Sequence, residues 1–334
     1  MKFVLSFIVF FNTLLVALLA IGFFYGYGAW TGPGPLPVDK NIVIARGSGV
    51  STIAETLENE GIIKSALVFK VAVKISGKES QLKAGEYTFP AAITTRETLS
   101  KIVSGDIVQR KITLPEGWTS WQIVQSLKAN ESLTGDIAAV PAEGSLLPET
   151  YLYEKDAPRE KIIAEMKAAM DKTIQELWPT REAGLPFDTI EQAITLASIV
   201  EKETGVASER ATIAGVFVNR LRAGMPLQTD PTVIYAITKG QIQDEGKGPL
   251  GRRLLKKDLD ETDSPYNTYK YPGLPPGPIA NPGRAAIQAV LHPEKNDYLY
   301  FVADGTGGHV FSKTLGEHSS NAAKWRQIRK EQGN

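Results

Sequence analysis

Hydrophobic residues are unevenly spread along this chain, and the first apolar run is the longest. Residues 3–24 form an uncharged stretch of 22 residues. As a helix with about 1.5 Å of rise per residue, this stretch reaches roughly 33 Å, enough to cross a hydrocarbon core of about 30 Å. Lys2 precedes the run, and Tyr25, Tyr27 and Trp30 follow it where an interfacial aromatic belt would lie. The pattern predicts a single-pass membrane helix with a cytoplasmic N-terminus.

A cleaved signal peptide is the alternative interpretation of this run. Its apolar part is longer than the roughly 7–15 residues usual for such peptides, and no A-x-A site follows it. We therefore expect a retained anchor over residues 1–30 and a linker rich in Pro and Gly over residues 31–39. Because no second apolar run approaches the length of a membrane span, everything after about residue 38 is expected outside the cytoplasm.

Residues 40–57 and 110–127 match each other without a gap at an offset of 70 residues. Each copy has a short β-branched strand, a glycine turn at Gly47 or Gly117, a Ser/Thr cap and apolar residues at helical spacing. This pattern predicts a duplicated strand–turn–helix unit. Between the copies, residues 84–89 favour a strand, and the capping-box pattern at residues 94–97 opens another helix.

Further along the chain the apolar spacing is helical over several segments. Helices are predicted over residues 161–178, 190–204 and 211–221, and the second of these is apolar on nearly all sides. Residues 225–235 contain two prolines among Gln, Thr and Asp, which favours a loop held against something polar. Residues 298–311 have the pattern of a β-hairpin.

Composition narrows the possible functions. The 334 residues carry 37 basic and 37 acidic side chains, and this balance argues against a general nucleic-acid binder. The absence of cysteine excludes disulfides, thiolate metal sites, iron–sulfur clusters and a cysteine nucleophile. The three histidines are not spaced like metal ligands, so neither a metal nor an organic cofactor is implied.

Two carboxylates at the end of the predicted buried helix are the candidates for acid–base chemistry. Glu201 and Glu203 lie two residues apart, about 200° around a helix axis, so one cleft normally takes only one of them. Burial raises the pKa of a carboxyl group, and a raised pKa suits a general acid. Helix geometry does not choose between the two, and both could instead be solvated charges paired with Lys202 or Arg210.

Aromatic, amide and hydroxyl side chains follow in two segments. Residues 227–230 read LQTD, residues 266–269 read YNTY, and residues 273–283 are rich in Gly and Pro. Sugar rings offer apolar C–H faces and hydroxyl edges, so this mixture is typical of the lining of a carbohydrate cleft.

The first copy of the repeat, VIARGSGVSTIAETL, resembles the start of a LysM domain, a βααβ module that binds glycans containing N-acetylglucosamine. The longer runs LASIVEKETGVASERATIAGVFVNRLRAGMPLQTDPTVIYAI, GLPPGPIANPG and YLYFVADGTGGHVFSKT resemble the YceG-like family of MltG-type endolytic murein transglycosylases. This resemblance covers essentially the whole chain. It implies a bacterial inner-membrane protein with a periplasmic catalytic domain, which cuts between N-acetylmuramic acid and N-acetylglucosamine and leaves a 1,6-anhydro end.

The resemblance also implies roles for individual residues. The family's catalytic Glu falls on Glu203, and Gln228, Thr229 and Asp230 fall on a loop that lines the sugar cleft. Further substrate-binding positions implied by the resemblance are Tyr266, Asn267, Tyr269 and Glu149. Glu149 stands where the family usually has Asp, and the preceding Gly-Ser-Leu-Leu departs from a more aromatic form, which puts a stacking role in doubt. His309 and His318 are left open between a structural and a catalytic role.

Together these expectations give an α+β protein. A single N-terminal transmembrane helix precedes a small LysM-like α+β module with its partial repeat, over residues 40–135, and a larger α+β catalytic domain over residues 136–334. Expected partners are peptidoglycan strands and, by resemblance, the peptidoglycan synthases (penicillin-binding proteins). Two alternatives stay open. A hydrolytic muramidase on the same scaffold would use Asp230 to hold water, and a non-catalytic, membrane-tethered scaffold would only bind glycan.

Overall fold

A computed structural model describes residues 2–242 and 248–331 of the chain. The chain divides into two compact units, Met1–Arg110 with Leu152–Lys155, and Lys111–Tyr151 with Asp156–Asn334. Both units combine helices with two-stranded sheets, as the α+β expectation requires. The functional border at residues 135 and 136 stays a prediction.

The N-terminal helix α1 spans Lys2–Thr31. Large apolar side chains along it, such as Phe3, Phe11 and Phe24, are exposed. Within residues 2–242 and 248–331, the segment Leu5–Thr31 is the one helix long and apolar enough to cross a membrane. The helix continues through Tyr25 and Trp30, so the expected aromatic belt lies on the same helix as the apolar run.

The rest of the first unit has the order β1 (Lys40–Ile44), α2 (Val50–Asn59), α3 (Ala66–Ile75), β2 (Gly85–Phe89) and α4 (Thr95–Ser104). Strands β1 and β2 pair in antiparallel fashion, and Phe69, Tyr87 and Phe89 lie fully buried in the core. The predicted strand and the capping box of α4 are both confirmed. The first four of these elements follow the order βααβ, while both the LysM-like nature of this module and its binding of glycan stay predictions.

The segment after α1, predicted as a linker, packs against the first unit. Leu36 is buried, and the N–H of Gly34 donates to the carbonyls of Ala92 and Ile93, each at 3.1 Å. The Thr95 hydroxyl also donates to the carbonyl of Ala29 at 2.8 Å, near the end of α1. These contacts attach the end of the apolar helix directly to the core of the unit.

The second unit is mainly helical. Its strands are β3 (Arg110–Thr113), β4 (Leu133–Thr134), β5 (Thr150–Tyr153), β6 (Ala157–Pro158), β7 (Tyr300–Ala303) and β8 (His309–Ser312). The first residue of β3 and the last two residues of β5 are assigned to the first unit. Strand β3 pairs with β5, β4 with β6, and β7 with β8. Its helices are α5 (Ser120–Ala129), α6 (Arg159–Leu177), α7 (Ile190–Glu203), α8 (Arg210–Arg222), α9 (Asp230–Thr238), α10 (Lys256–Glu261), α11 (Arg284–Leu291) and α12 (Leu315–Glu331).

Helix α7 forms the centre of the second unit. It packs against α8, α9 and α11, and every residue from 193 to 200 is buried. A helix that is apolar all round is stable only in such a position, which confirms the interpretation of its sequence. The helices predicted over residues 161–178 and 211–221 and the C-terminal hairpin are also present.

Both copies of the repeat have the predicted strand, glycine turn and helix. The predicted Ser/Thr cap is present in the second copy, at Thr119, but not in the first, where the N-cap of α2 is Gly49 and no side chain caps the helix. Gly47 and Gly117 adopt the left-handed conformation, with φ of 80° and 74°, and each is followed by a ten-residue helix. The buried apolar residues of the two helices are the aligned ones: Ile53, Ala54 and Leu57 in α2, and Ile123, Val124 and Leu127 in α5.

One segment differs from its prediction. Residues 225–235 were expected to be a loop throughout, whereas only residues 225–229 are, because α9 begins at Asp230. Pro231 causes the change, since proline is well suited to the first turn of a helix and has no N–H that needs a partner.

We expect Gly34→Ala to destabilise the first unit. A Cβ at Gly34 would lie 2.3 Å from the Ile93 carbonyl oxygen and 2.7 Å from that of Ile62, so the backbone must shift. Overpacking of this kind typically costs about 1–3 kcal/mol. Thermal unfolding of the full chain followed by circular dichroism measures it. Gly205→Ala is the control, because its added methyl group meets nothing within 4 Å. Equal melting temperatures for both variants would contradict the tight packing of this segment.

Candidate active site

The candidate site lies at the C-terminal end of α7. The helix is started by a reciprocal capping box between Thr189 and Gln192, and it ends at Glu203. Thr204 then takes an extended conformation, with φ of −141°. Because α7 is buried from Ala193 to Val200, Glu201 and Glu203 lie where the C-terminal end of the helix leaves the core.

The side chain of Glu201 points into the protein and is held by other segments of the chain. One of its oxygens, Oε2, accepts a hydrogen bond from the N–H of Gly283 at 2.9 Å, and Oε1 lies 3.6 Å from the guanidinium of Arg210. Its side chain is only 5% exposed, and burial raises the pKa of this carboxyl group. Arg210 also pairs with Glu116 at 3.3 Å. Glu201 therefore connects the ends of three segments and is engaged structurally.

Glu203 faces the opposite direction, as the two-residue spacing predicts. It is half-buried, and burial of its carboxyl group raises its pKa to about 7. Thr229, His309 and Arg220 oppose part of this rise, and the negative charge of Asp230 adds to it. The Thr229 hydroxyl acts through proximity, because it makes no hydrogen bond of ordinary geometry. With a pKa of about 7, the protonated and the ionised form of Glu203 are both accessible near neutral pH.

The first wall of the site is the turn from residue 227 to Asp230, where α9 begins. Asp230 is exposed, and one of its oxygens accepts a hydrogen bond from the Tyr269 hydroxyl at 2.6 Å. Burial and this bond raise the pKa of Tyr269, which therefore remains a donor. The charge of Glu203 also acts on Tyr269, so the sequence-predicted Thr229, Asp230 and Tyr269 lie around the same carboxyl group.

The buried side chain of Arg220 fixes this turn through hydrogen bonds to backbone carbonyls. Its guanidinium is 7% exposed and donates to the carbonyls of Leu299, Pro226 and Leu227, at 2.6, 3.1 and 2.8 Å. Gln228, which follows, is exposed and has a left-handed backbone with φ of 53°. A non-glycine residue in this region is strained, and such strain concentrates at functional sites. The predicted substrate-binding position Gln228 therefore projects from a turn that is fixed from within.

A histidine–glutamate pair completes the site, and sequence analysis left its role open. His309, on β8, directs Nδ1 to Glu209 at 2.7 Å, and its N–H donates to the same carboxylate at 2.8 Å. Burial disfavours ionisation of Glu209, but the bonds from His309 outweigh it and hold the pKa of Glu209 below its usual range. Because the carboxylate accepts from Nδ1, the other ring nitrogen is the acceptor in the neutral imidazole. Only folding places this ring near Glu203, since the two residues are 106 positions apart.

Three further residues that were predicted to bind substrate make no contact with Glu203 in the described part of the chain. Asn267 is fully buried and donates to the carbonyls of Leu259 and Thr262, so in this structure it holds the loop rather than facing a cleft. Tyr266 packs its ring 5.0 Å from that of Tyr235. Glu149 is exposed, and no contact described within residues 2–242 and 248–331 joins it to Glu203.

Glu143 is a second carboxyl group whose pKa burial raises to about 7. It accepts the N–H of Ser120, the first residue of α5, at 2.9 Å, and lies 3.4 Å from the Asn281 amide. Its raised pKa thus accompanies a structural role, in contrast to that of Glu203. Within the described part of the chain, no group of three or more His, Asp and Glu side chains is arranged to hold a metal ion.

Known proteins resemble this chain over most of its length. The YceG-like family matches residues 42–324. A Bacillus subtilis protein named endolytic murein transglycosylase is 37% identical over 329 residues, which cover 86% of this chain and 87% of that protein. A Streptococcus pneumoniae protein of the same name is 34% identical over 376 residues, which cover 96% of this chain. This chain spans only 65% of the length of the pneumococcal relative.

A solved structure supports the same grouping. The crystal structure of a YceG-like protein from Listeria monocytogenes superposes with a TM-score of 0.50 at 36% sequence identity, covering 85% of this chain and 99% of that one. The family match, the curated relatives and this structure agree with the motifs at the end of α7 and along the turn to α9. The chain belongs to the YceG-like family.

Proposed function

We propose that the protein is a membrane-anchored endolytic lytic transglycosylase. It cleaves the β-1,4 bond between N-acetylmuramic acid and N-acetylglucosamine in nascent peptidoglycan and leaves 1,6-anhydro-N-acetylmuramic acid ends. In this role it terminates the elongation of glycan strands. The relatives named endolytic murein transglycosylases support this proposal.

The observation that carries the proposal is the state of Glu203. Its carboxyl group is partly accessible, yet burial raises its pKa to about 7. A general acid works best when its pKa lies near the operating pH, because it is then both protonated and able to release the proton. Glu201 has a raised pKa as well, but it is occupied by Gly283 and Arg210.

One carboxyl group serves both steps of the proposed reaction. Protonated Glu203 donates its proton to the glycosidic oxygen as the bond to C1 breaks, and the 2-acetamido group of the same sugar stabilises C1. The Glu203 carboxylate then takes the proton of the C6 hydroxyl, whose oxygen forms the new bond to C1. The proton balance closes without water, and the tethered hydroxyl gains a large effective concentration over an outside nucleophile.

The surrounding side chains fit this cycle. Asp230 carries negative charge beside Glu203 and favours its protonated form, whereas Arg220 and His309 favour the ionised form that follows proton donation. The Tyr269 hydroxyl donates to one oxygen of Asp230, which fixes the direction of that carboxylate. Opposing influences on one carboxyl group keep its pKa between the values that either step alone would prefer.

The apolar helix α1 supports a location at the membrane. We propose that it is retained as a single-pass anchor in the bacterial inner membrane, with a cytoplasmic N-terminus and a periplasmic catalytic domain. The βααβ module would bind glycan in a LysM-like manner, and peptidoglycan synthases would supply the nascent strand. Because residues 31–39 pack against the first unit, the anchor would restrict how far this module lies from the membrane.

A hydrolytic muramidase is the second candidate. An exposed carboxylate beside the acid favours it, since Asp230 could hold a water molecule against C1. Inverting and retaining hydrolases both use a second carboxylate in this way or as a nucleophile. The chemical end left by cleavage distinguishes the two reactions.

We expect Glu203→Gln to lower the rate of cleavage of purified peptidoglycan by at least about 10³-fold, because the amide cannot donate and reclaim the proton. Mass spectrometry of the released fragments identifies the ends. The matched control is Glu201→Gln, two residues away, which should keep activity within about tenfold while melting at a lower temperature. Reducing ends from the wild type would favour the muramidase and direct attention to Asp230→Asn. A folded Glu203→Gln variant with full activity would refute the assignment of Glu203.

The raised pKa of Glu203 predicts the pH dependence of both rate and stability. Activity should fall about tenfold per pH unit above pH 7, because the acid form is lost. In the folded protein the pKa is raised, so the stability contributed by Glu203 is fully present below about pH 4.5 and is lost as the pH rises through 7.

The Glu203→Gln variant isolates this contribution. Its melting temperature relative to that of the wild type should increase from pH 4 to pH 8, by the equivalent of about 1–3 kcal/mol. The same comparison with an exposed carboxylate, in Glu191→Gln, should show little change. A constant difference between Glu203→Gln and the wild type would mean that the folded-state pKa is not raised.

A further inference from the structure

A second cleft lies beside the acid site and is not used by the proposed mechanism. It has a volume of about 220 Å³ and runs along one face of α9. Four residues of that helix, at helical spacing, line it: Pro231, Ile234, Tyr235 and Thr238. Opposite them are Lys202 at the end of α7, Thr119 and Gln122 at the start of α5, and Ile279.

Lys202 is the charged side chain of this lining within the described residues. Its ammonium group donates one hydrogen bond, to the carbonyl of Gly117 at 3.2 Å. An ammonium group has three N–H donors, and no ion pair within 4 Å engages Lys202 in the described part of the chain. Two donors therefore stay available to a ligand in the cleft.

The neighbouring acids do not neutralise this lysine. Burial lowers the pKa of Lys202, and the charge of Glu201 offsets only part of that effect. Glu201 itself is engaged by Gly283 and Arg210. Lys202 is an exposed residue with one hydrogen bond to the protein, so an anionic ligand in the cleft can accept from its remaining donors.

The cleft borders the acid site along two segments of chain. Lys202 directly precedes Glu203 on α7, and Pro231 directly follows Asp230 on α9. Residues one position apart on a helix point about 100° apart, so the two pairs of neighbours face adjoining regions. The cleft therefore adjoins, along the chain, both Glu203 and Asp230.

We propose that this cleft binds the stem peptide of the substrate's N-acetylmuramic acid, with a peptide carboxylate on Lys202. The proposal rests on the proposed function, because it takes peptidoglycan as the substrate. In intact strands the lactyl carboxyl of N-acetylmuramic acid is bound in an amide, so the sugars carry no charge and the carboxylates lie on the stem peptide. Ile234, Tyr235 and Ile279 give the cleft apolar walls that suit small alkyl side chains such as those of alanine.

The test compares two substrates that differ in the stem peptide and in the lactyl carboxylate of N-acetylmuramic acid that removal of the peptide frees. Full-length protein in detergent is given intact glycan strands and strands from which an amidase has removed the stem peptides. We expect the wild type to cleave the peptide-bearing strands with at least about tenfold higher kcat/KM. Lys202→Met should lower this ratio toward one, and Lys202→Arg should largely restore it. The ratio is the readout because any general effect on Glu203 or on folding acts on both substrates alike.

The matched control is Lys172→Met, an exposed lysine on α6 outside the cleft, which should keep the wild-type ratio. Equal rates of the wild type on both substrates would overturn the inference and leave the proposed function intact. A wild-type preference that Lys202→Met does not change would overturn the assignment of Lys202.

A binding measurement keeps the inference testable if no cleavage occurs, an outcome that would count against the proposed function instead. Calorimetry with the Glu203→Gln variant should show tighter binding of a peptide-bearing disaccharide fragment than of the same fragment without peptide. Adding Lys202→Met should remove at least about tenfold of that difference. Equal affinity for the two fragments would overturn the inference on its own.

Discussion

The site depends on the burial of one carboxyl group at the end of a helix that is itself buried on all sides. Helix α7 is surrounded by α8, α9 and α11. At its last turn, one side chain can therefore point into the protein while another reaches the surface. Glu201 is the side chain that points inward and Glu203 the one at the surface, because the two lie about 200° apart around the helix axis. Desolvation then raises the pKa of Glu203 to about 7, which is the range that the proposed role as a general acid requires.

A fixed polar frame keeps the surroundings of that carboxyl group in place. Arg220 is buried and donates to three backbone carbonyls, so it fixes the turn that carries Thr229 and Asp230. Asn281, also buried, accepts from the N–H of Leu146 and donates to the Trp118 carbonyl. Such networks rigidify a site when every member has a partner. Preorganisation of this kind is what acid–base chemistry on a bound sugar requires.

The two copies of the repeat show how one local structure takes different roles. Their strands, glycine turns and helices agree, yet a Cβ on Gly47 would meet nothing within 4 Å. A Cβ on Gly117 would lie 3.5 Å from carbon atoms of both Glu201 and Lys202. The second copy therefore supports the end of α7 and accepts the Lys202 hydrogen bond, which connects it with the proposed peptide cleft.

The sequence by itself determined the elements, because they follow from local spacing. The apolar run of α1, the all-round apolar pattern of α7 and the capping boxes each predicted a helix that the structure contains. Local spacing also implied that only one of the carboxylates of α7 would face a cleft, but it could not say which. Tertiary structure decided this, since the Gly283 N–H and Arg210 that engage Glu201 come from distant segments. It likewise brought His309 to the site and enclosed Asn267, because burial and long-range contacts depend on how the chain packs.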